Sequence, residues 1–195
     1  MQAHLSRVEG LLMTALAAAD RDEAELHAAL EALPAPIYAT DASGLVTFFN
    51  TACIAFAGRR PEVGKDRWCV TWKLYTDGGE FLPHDRCPMA LALATGRPIR
   101  GVTAVAERPG GDRVTFLPFP TPILDARGHM LGAVNLLLDV TDFRQIADLR
   151  SQAQRARRLA SGVSDPMTID ALTTMADDYD AKAADLEAEI SLTLS

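Results

Sequence analysis

The spacing of apolar and polar residues changes character several times along the chain. Over residues 3–33 apolar side chains fall at Leu5, Val8, Leu12, Leu16, Ala19, Leu26, Leu30 and Leu33, close to the spacing of one helical face. The cluster Asp20-Arg21-Asp22 divides this stretch into two predicted helices, with Asp20 or Asp22 as the second N-cap, and Pro34 and Pro36 end it. From Ile37 the period becomes that of strands: Ile37 to Thr40, a turn at Asp41-Ala42-Ser43-Gly44, then Leu45 to Phe49. Asn50-Thr51 caps a short helix, Ala52 to Ala57, that Gly58 stops. Residues 59–84 have no regular period yet carry Trp68, Trp72, Tyr75 and Phe81. Large aromatics in irregular backbone line or lid a core, because each buries much area on one residue.

Asp85 opens a helix, Arg86 to Thr95, closed at Gly96. Two strands, roughly Ile99–Glu107 and Arg113–Leu124, flank a hairpin at Pro109-Gly110-Gly111-Asp112. The second holds Pro118, Pro120 and Pro122, which cannot donate to a sheet ladder, so an edge or a bulge is expected there. After the turn Asp125-Ala126-Arg127-Gly128 comes HMLGAVNLLL, a Leu/Val-rich run that reads as a strand buried on at least one face. This strand does not end in a turn. It passes through Asp139-Val140-Thr141-Asp142 into a helical pattern that begins at Phe143. Asp139, Thr141 and Asp142 are residue types that accept hydrogen bonds from the free N–H groups of a starting helix. Asp139 and Thr141 are therefore the expected coupling residues, through which a change in the core reaches helix packing.

Two helical stripes follow. Phe143, Ile146, Leu149, Ala153, Ala156 and Leu159 form the first, which stops at Ser161-Gly162. Ser164 or Asp165 caps the second helix, with Pro166 in its first turn, and Leu172, Met175, Tyr179, Ala183, Leu186 and Ile190 form its stripe. Two striped helices on a short loop make a hairpin. The pattern as a whole predicts an α+β fold in three parts: an N-terminal amphipathic helical segment over 1–32, a strand-rich domain over 33–142 and a helical hairpin over 143–195.

Composition narrows the function. The 195 residues, 48% hydrophobic and 23% charged, suit one domain with added helices. A net charge of -7 argues against a nucleic-acid partner, since phosphate contacts need a basic face. No segment approaches the roughly 18 apolar residues of a membrane span. Glu9 precedes the first apolar run and Asp20, Asp22, Glu23 and Glu25 follow it, a pattern unlike a secretion signal. Cys53, Cys69 and Cys87 are odd in number and form no CxxC pair, which reads as reduced thiols in a cytoplasm. The Ser and Thr residues show no His/Asp arrangement, so no catalytic residue is assigned. Arg150, Arg155, Arg157 and Arg158 gather on one predicted helix. Two readings stand: a solvated face, or a docking strip for an acidic partner or for the chain's own Asp177, Asp178, Asp180 and Asp185.

Several pieces in order resemble a PAS domain over residues 33–142. Asp41, Gly44 and Asn50 fit the opening D-x-x-G-x-(x)5-N, and Gly58 and Gly64 fit a glycine loop pair. The stretch LPHDRCPMALALATGRPIRG is similar to a variant with a proline-marked helix and a Gly-Arg-Pro exit, and Asp139-Val140-Thr141 fits the D-[IV]-T exit signal. The resemblance implies a five-stranded antiparallel sheet cupping a pocket, short helices on one face, a homodimer through flanking helices, and signalling to a protein partner that the sequence does not identify. The tail ARRLASGVSDPMTIDALTTMADDYDAKAADLEAE is similar to helical segments that recur in small bacterial proteins.

Within that family, three outputs can be weighed. A kinase of the histidine type needs a phosphoacceptor on the exit helix, and none of His4, His27, His84 and His129 lies there. The photochemical flavin motif G-x-N-C-R-F-L-Q corresponds to Gly64-Lys65-Asp66-Arg67-Trp68-Cys69, with Arg67 in the cysteine slot. Haem is the cofactor alternative of more weight than flavin. His84 stands ahead of the helix where haem-binding relatives carry an axial histidine, and Cys87-Pro88 resembles a haem-regulatory dipeptide; the other reading is a solvated histidine and a first-turn proline. If a small molecule binds, Trp68, Trp72 and Phe116 are expected to line the cup with Asn135 as a polar contact. The competing outcome is a cup filled by the same aromatics. Asn135, set between Leu131, Ala133 and Leu137, faces either the cup or solvent.

Overall fold

The computed structural model describes Gly10 and residues 23–193. The chain divides into two compact units, Met1–Asp139 and Val140–Ser195. The helices expected before residue 23 lie outside the described residues. Among those described, no helix is long and apolar enough to cross a membrane.

The first unit opens with α1 (Glu23–Glu31), then β1 (Ile37–Asp41), β2 (Val46–Phe49) and α2 (Ala52–Ala57). After β3 (Lys73–Thr76) and a 3-10 turn at His84–Arg86 comes α3 (Pro88–Thr95), then β4 (Ala104–Glu107), β5 (Arg113–Leu124) and β6 (Met130–Asp139). The strands form one antiparallel sheet in the order β2-β1-β6-β5-β4-β3. It has six strands where five were expected. The extra one, β3, lies in the stretch without a period. It is four residues long, pairs with β4 from Lys73↔Glu107 to Thr76↔Ala104, and turns back through Gly78 and Gly79. Helix α3 starts at Pro88, two residues later than expected, because His84–Arg86 forms the 3-10 turn and Pro88 takes the first helical position, which needs no N–H.

The prolines of β5 explain its pairing. Strand β4 reaches only as far as Phe116, so Pro118, Pro120 and Pro122 lie where β5 has β6 as its one ladder partner. Pro120's carbonyl accepts from Ile99 N–H (3.3 Å) and Arg100 Nη1 (2.9 Å), so it faces away from β6. Alternate residues of a strand point their backbone groups the same way, so all three prolines put their missing donors on the open side. The expected edge is there, and a register shift between Ile123 and Leu124 adds the irregularity.

One face of the sheet packs against α2 and α3. Tyr38, Val46, Phe116, Ala133 and Leu137 from the sheet meet Cys53, Phe56, Met89 and Ala90 from the helices, with Trp68 packed alongside. Phe56 and Phe116 stand edge to face at 5.3 Å, a geometry worth about 1 kcal/mol beyond the area it buries. Asn50, expected as a helix cap, does something else. Fully buried, it accepts Ile37 N–H at Oδ1 (3.0 Å), and its Nδ2 donates toward the carbonyls of Ala35 (2.9 Å), Leu30 (3.3 Å) and Leu33 (3.4 Å). It clasps the end of α1 to the start of β1, while Thr51, at the cap position of α2, makes no side-chain cap bond.

The second unit is an antiparallel helical pair, α4 (Thr141–Ser161) and α5 (Pro166–Thr193). Its seam is made of small residues, Ala153, Ala156 and Ala176, with Tyr179 against them. The arginine strip finds the chain's own acids in two places: Arg157 pairs with Asp177 (3.0 Å) and Asp180 (2.6 Å), and Arg150 with Glu187 (2.8 Å).

Candidate functional site

Tyr38 and Asn135 sit opposite one another on β1 and β6 and share the core face of the sheet. Both are buried, Asn135 with 2% of its surface left. Buried polar groups must find partners or cost about 1–3 kcal/mol each. Here they form a chain. Asn135 Oδ1 accepts Phe119 N–H (2.9 Å), Asn135 Nδ2 donates to Tyr38 Oη (3.0 Å), and Tyr38 Oη donates to the carbonyl of Trp68 (2.8 Å). The Cys87 thiol reaches the same carbonyl at 3.7 Å, and Cys69 Sγ lies 3.1 Å from Thr71 Oγ1. The network ties β6, β5 and β1 to the loop ahead of β3.

Trp68 is where that loop is held under strain. Among the described residues it is the one non-glycine with a positive φ, 62°. Its N–H donates to Gly44 O at 2.7 Å, and Arg67 lies over its ring at 5.3 Å. Gly44, at φ 87°, has to be glycine for two reasons: the backbone is left-handed, and a Cβ would collide with the Trp68 indole. Asp41 builds that turn, with Oδ1 accepting from Ser43 N–H (2.8 Å), Ser43 Oγ–H (2.8 Å) and Leu45 N–H (3.0 Å). So the D-x-x-G motif forms the seat on which Trp68 rests.

The expected lining residues part company. Trp68, Phe116 and Asn135 meet in the core, but Trp72 is 53% exposed and lines nothing there. Trp72 lies just ahead of β3 in irregular backbone, where Cys69, Val70 and Thr71 are buried in succession and Trp72 is turned out. Tyr38, which bridges Asn135 to Trp68, was not singled out from the sequence. A tyrosine in a short β-prone segment has no signal that separates a network member from a strand former. His84, half-buried in its 3-10 turn, has Nε2 buried without a hydrogen-bond partner. Burial, and then the Arg59 guanidinium, lower its pKa, so the ring is neutral near pH 7. At the strand–helix joint Asp139 ends β6, Thr141 begins α4, and Val140 holds the cap position without a side-chain cap bond. The helix starts two residues earlier than its apolar stripe implied.

All three cysteines are free and buried. Burial pushes the Cys53 and Cys87 thiols up to about 12 and raises Cys69 as well. In the stretch that corresponds to the flavin motif, Arg67 stands in the cysteine slot and stacks on Trp68, and burial raises the Cys69 thiol two residues later. Alkylation at pH 8 should therefore be at least about tenfold slower in the native protein than in urea for each cysteine. Peptide mapping by mass spectrometry reads this out, and a cysteine labelled equally fast in both states would contradict its burial.

Comparison with known proteins comes to the same domain. The family model described as PAS fold matches residues 30–145. A search of curated proteins returned no match. Among solved structures, an RNA-binding Light-Oxygen-Voltage receptor is 17% identical, with TM-score 0.46, over 85% of this chain and 38% of that one. The chain thus spans well under half the length of that receptor. The LOV domain of the blue-light activated histidine kinase from Erythrobacter litoralis EL346 is 18% identical over 56% of this chain and 98% of that one, TM-score 0.43. The PAS domain of the fruit-fly ELK potassium channel is 10% identical over 55% and 87%, TM-score 0.42.

Proposed function

The chain belongs to the PAS fold family, and from that premise we propose that it is a cytoplasmic sensory or regulatory protein that signals through protein–protein contacts and carries no catalytic output of its own. The observation that carries this reading is the joint between the units: β6, which holds Asn135 in the core network, ends at Asp139, and α4 starts at Thr141. One residue, Val140, separates a core strand from a 21-residue helix. A shift of β6 has no loop in which to be absorbed. Asp139 and Thr141 pass it on, and a homodimer built with the flanking helices presents it to a signalling partner.

Asp139→Ala tests the coupling. Losing a joint hydrogen bond costs about 1 kcal/mol, which a domain with several kcal/mol in hand survives. Hydrogen exchange should quicken in residues 140–160 while residues 131–138 stay protected. Equal loss in both would make Asp139 a plain stability residue and remove this support.

A second reading, a haem-bearing gas or redox sensor, is favoured by one observation: the buried, unpartnered Nε2 of a neutral His84 is the donor that haem iron takes. Trp68, Phe116 and Asn135 would then stand on the cofactor side. The packing of Tyr38, Phe56, Met89 and Phe116 in one buried cluster favours the first reading. The absorption spectrum of purified protein separates them, since a Soret band that His84→Ala abolishes would establish the second.

A further inference from the structure

The last turn of α1 meets the core on residues 48–51. The His27 ring stacks on Phe48 at 4.5 Å, and Leu30 is buried. Asn50 Nδ2 reaches the carbonyl of Leu30, where a helix runs out of its own donors, and that of Leu33 just past it. Glu31 reaches the other way. Its carboxylate accepts Thr51 N–H, at 3.0 Å from Oε1 and 3.3 Å from Oε2. Within one helix a capping box supplies that bond from a Glu or Gln at the third helical position. Helix α2 has Ile54 there, so α1 supplies the bond from 20 residues upstream. The two segments thus cap each other.

Asn50 is also tied to the start of β1. Its Oδ1 accepts Ile37 N–H (3.0 Å) and its own N–H donates to Ile37 O (3.0 Å), so one asparagine holds both backbone groups of the first strand residue. The next residue along β1 is Tyr38, whose Oη accepts from Asn135 Nδ2 at 3.0 Å. No loop lies between the clasp and the core network. Helix α1 has nine residues, a length that is marginal in water by itself, so its helicity depends on being held.

We propose that α1 is a second coupling arm, joined by Asn50 and Glu31 to β1, whose docking and release move the Tyr38–Asn135 network. Asn50 acts through Ile37 and is the positioning residue of the arm. Its use rests on the signalling reading above, to which it adds a joint at β1 beside the one at Val140. The polar chain then runs from α1 through Asn50, Ile37 and Tyr38 to Asn135 on β6.

The test uses the full chain, with residue-level hydrogen exchange and the NMR shift of the Phe119 amide, whose N–H is held by Asn135 Oδ1. Glu31→Ala removes an exposed side chain and the Thr51 bond, so exchange in residues 27–33 should quicken about fivefold. Asn50→Asp keeps an acceptor for Ile37 N–H but turns an oxygen toward the carbonyls of Leu30, Leu33 and Ala35. It should quicken the same residues at least about tenfold. In both variants the Phe119 amide should shift, more in the second. Should Asn50→Asp not fold, Glu31→Ala decides by the same two readouts. A loosened α1 with the Phe119 amide unmoved overturns the arm and reduces Asn50 to a local clasp. Unchanged exchange in residues 27–33 overturns the clasp as well. Failure of the signalling reading looks different: the Phe119 amide shifts as expected, while Asp139→Ala leaves residues 140–160 exchanging as in wild type.

Discussion

Raising the pH from 8.5 to 10.5 should destabilise the PAS core steeply, well below the range where arginine pairs are lost. Four groups in the core hold their protons more tightly than they would in the unfolded chain: Cys53 and Cys87, pushed up to about 12, Cys69, and Tyr38, whose phenol burial raises well above its usual range. Because each folded pKa is raised, the stability it represents is complete below the unfolded value, near 8.5 for a thiol, and is lost as pH climbs toward the folded one. In that window the Cys53 and Cys87 thiols, held near 12, each remove about 1.4 kcal/mol per pH unit, so the two together remove about 3 kcal/mol per unit, and Cys69 and Tyr38 act in the same direction. A domain with about 5 kcal/mol in hand, the low end of the usual range, is exhausted within about two units. Urea titrations at half-unit steps should show stability flat from pH 7 to 8 and then falling steeply. Replacing Cys53 with Ala should reduce the slope by about one proton, whatever it does to stability at pH 7. A flat profile to pH 10.5 would mean that the thiols ionise without leaving the fold.

Asn135→Leu should destabilise the protein by about 2–3 kcal/mol, lowering Tm by about 10 °C. Leucine nearly matches asparagine in shape, so the loss is chemical. Phe119 keeps its buried N–H without an acceptor, and Tyr38 Oη loses the donor it accepts while still giving its own hydrogen to Trp68. Tyr38→Phe should cost about 1–2 kcal/mol by leaving Asn135 Nδ2 unpaired. Because the two substitutions break the same bond, the double variant should cost less than the two together by about 1 kcal/mol. A neutral or stabilising Asn135→Leu, with a metabolite or cofactor raising the melting temperature of wild type alone, would mean an open ligand cup instead of a closed network.

What the sequence made legible follows the physics of local signals. The β6 run and its passage into a helix were plain, because an apolar strand and a helical stripe differ in period and here abut. The prolines of β5 announced an unpaired side, since a missing N–H is tolerated only there. Strand β3 was hidden: four residues give too short a period, and its pairing with β4 depends on residues 28 to 34 positions away. Trp72 looked like a core aromatic because hydrophobicity does not reveal which way an irregular backbone turns a side chain. Asn50 read as a helix cap, and its actual role stayed hidden because the carbonyls it clasps come from 15 to 20 residues upstream. The arginines of α4 admitted two readings until Arg157 and Arg150 were set against α5, where their partners lie 20 to 37 residues on.

The claim that the core speaks to the hairpin through Val140 is tested most directly by hydrogen exchange on full-length Asn135→Leu. The substitution lies in β6 and changes no residue of α4 or α5. If the two units are coupled, amides of α4 from Thr141 onward should lose protection together with those of β6, with the largest change in the first turns of the helix. If β6 exchanges faster while α4 and α5 exchange as in wild type, the core and the hairpin are independent, and the signalling account fails.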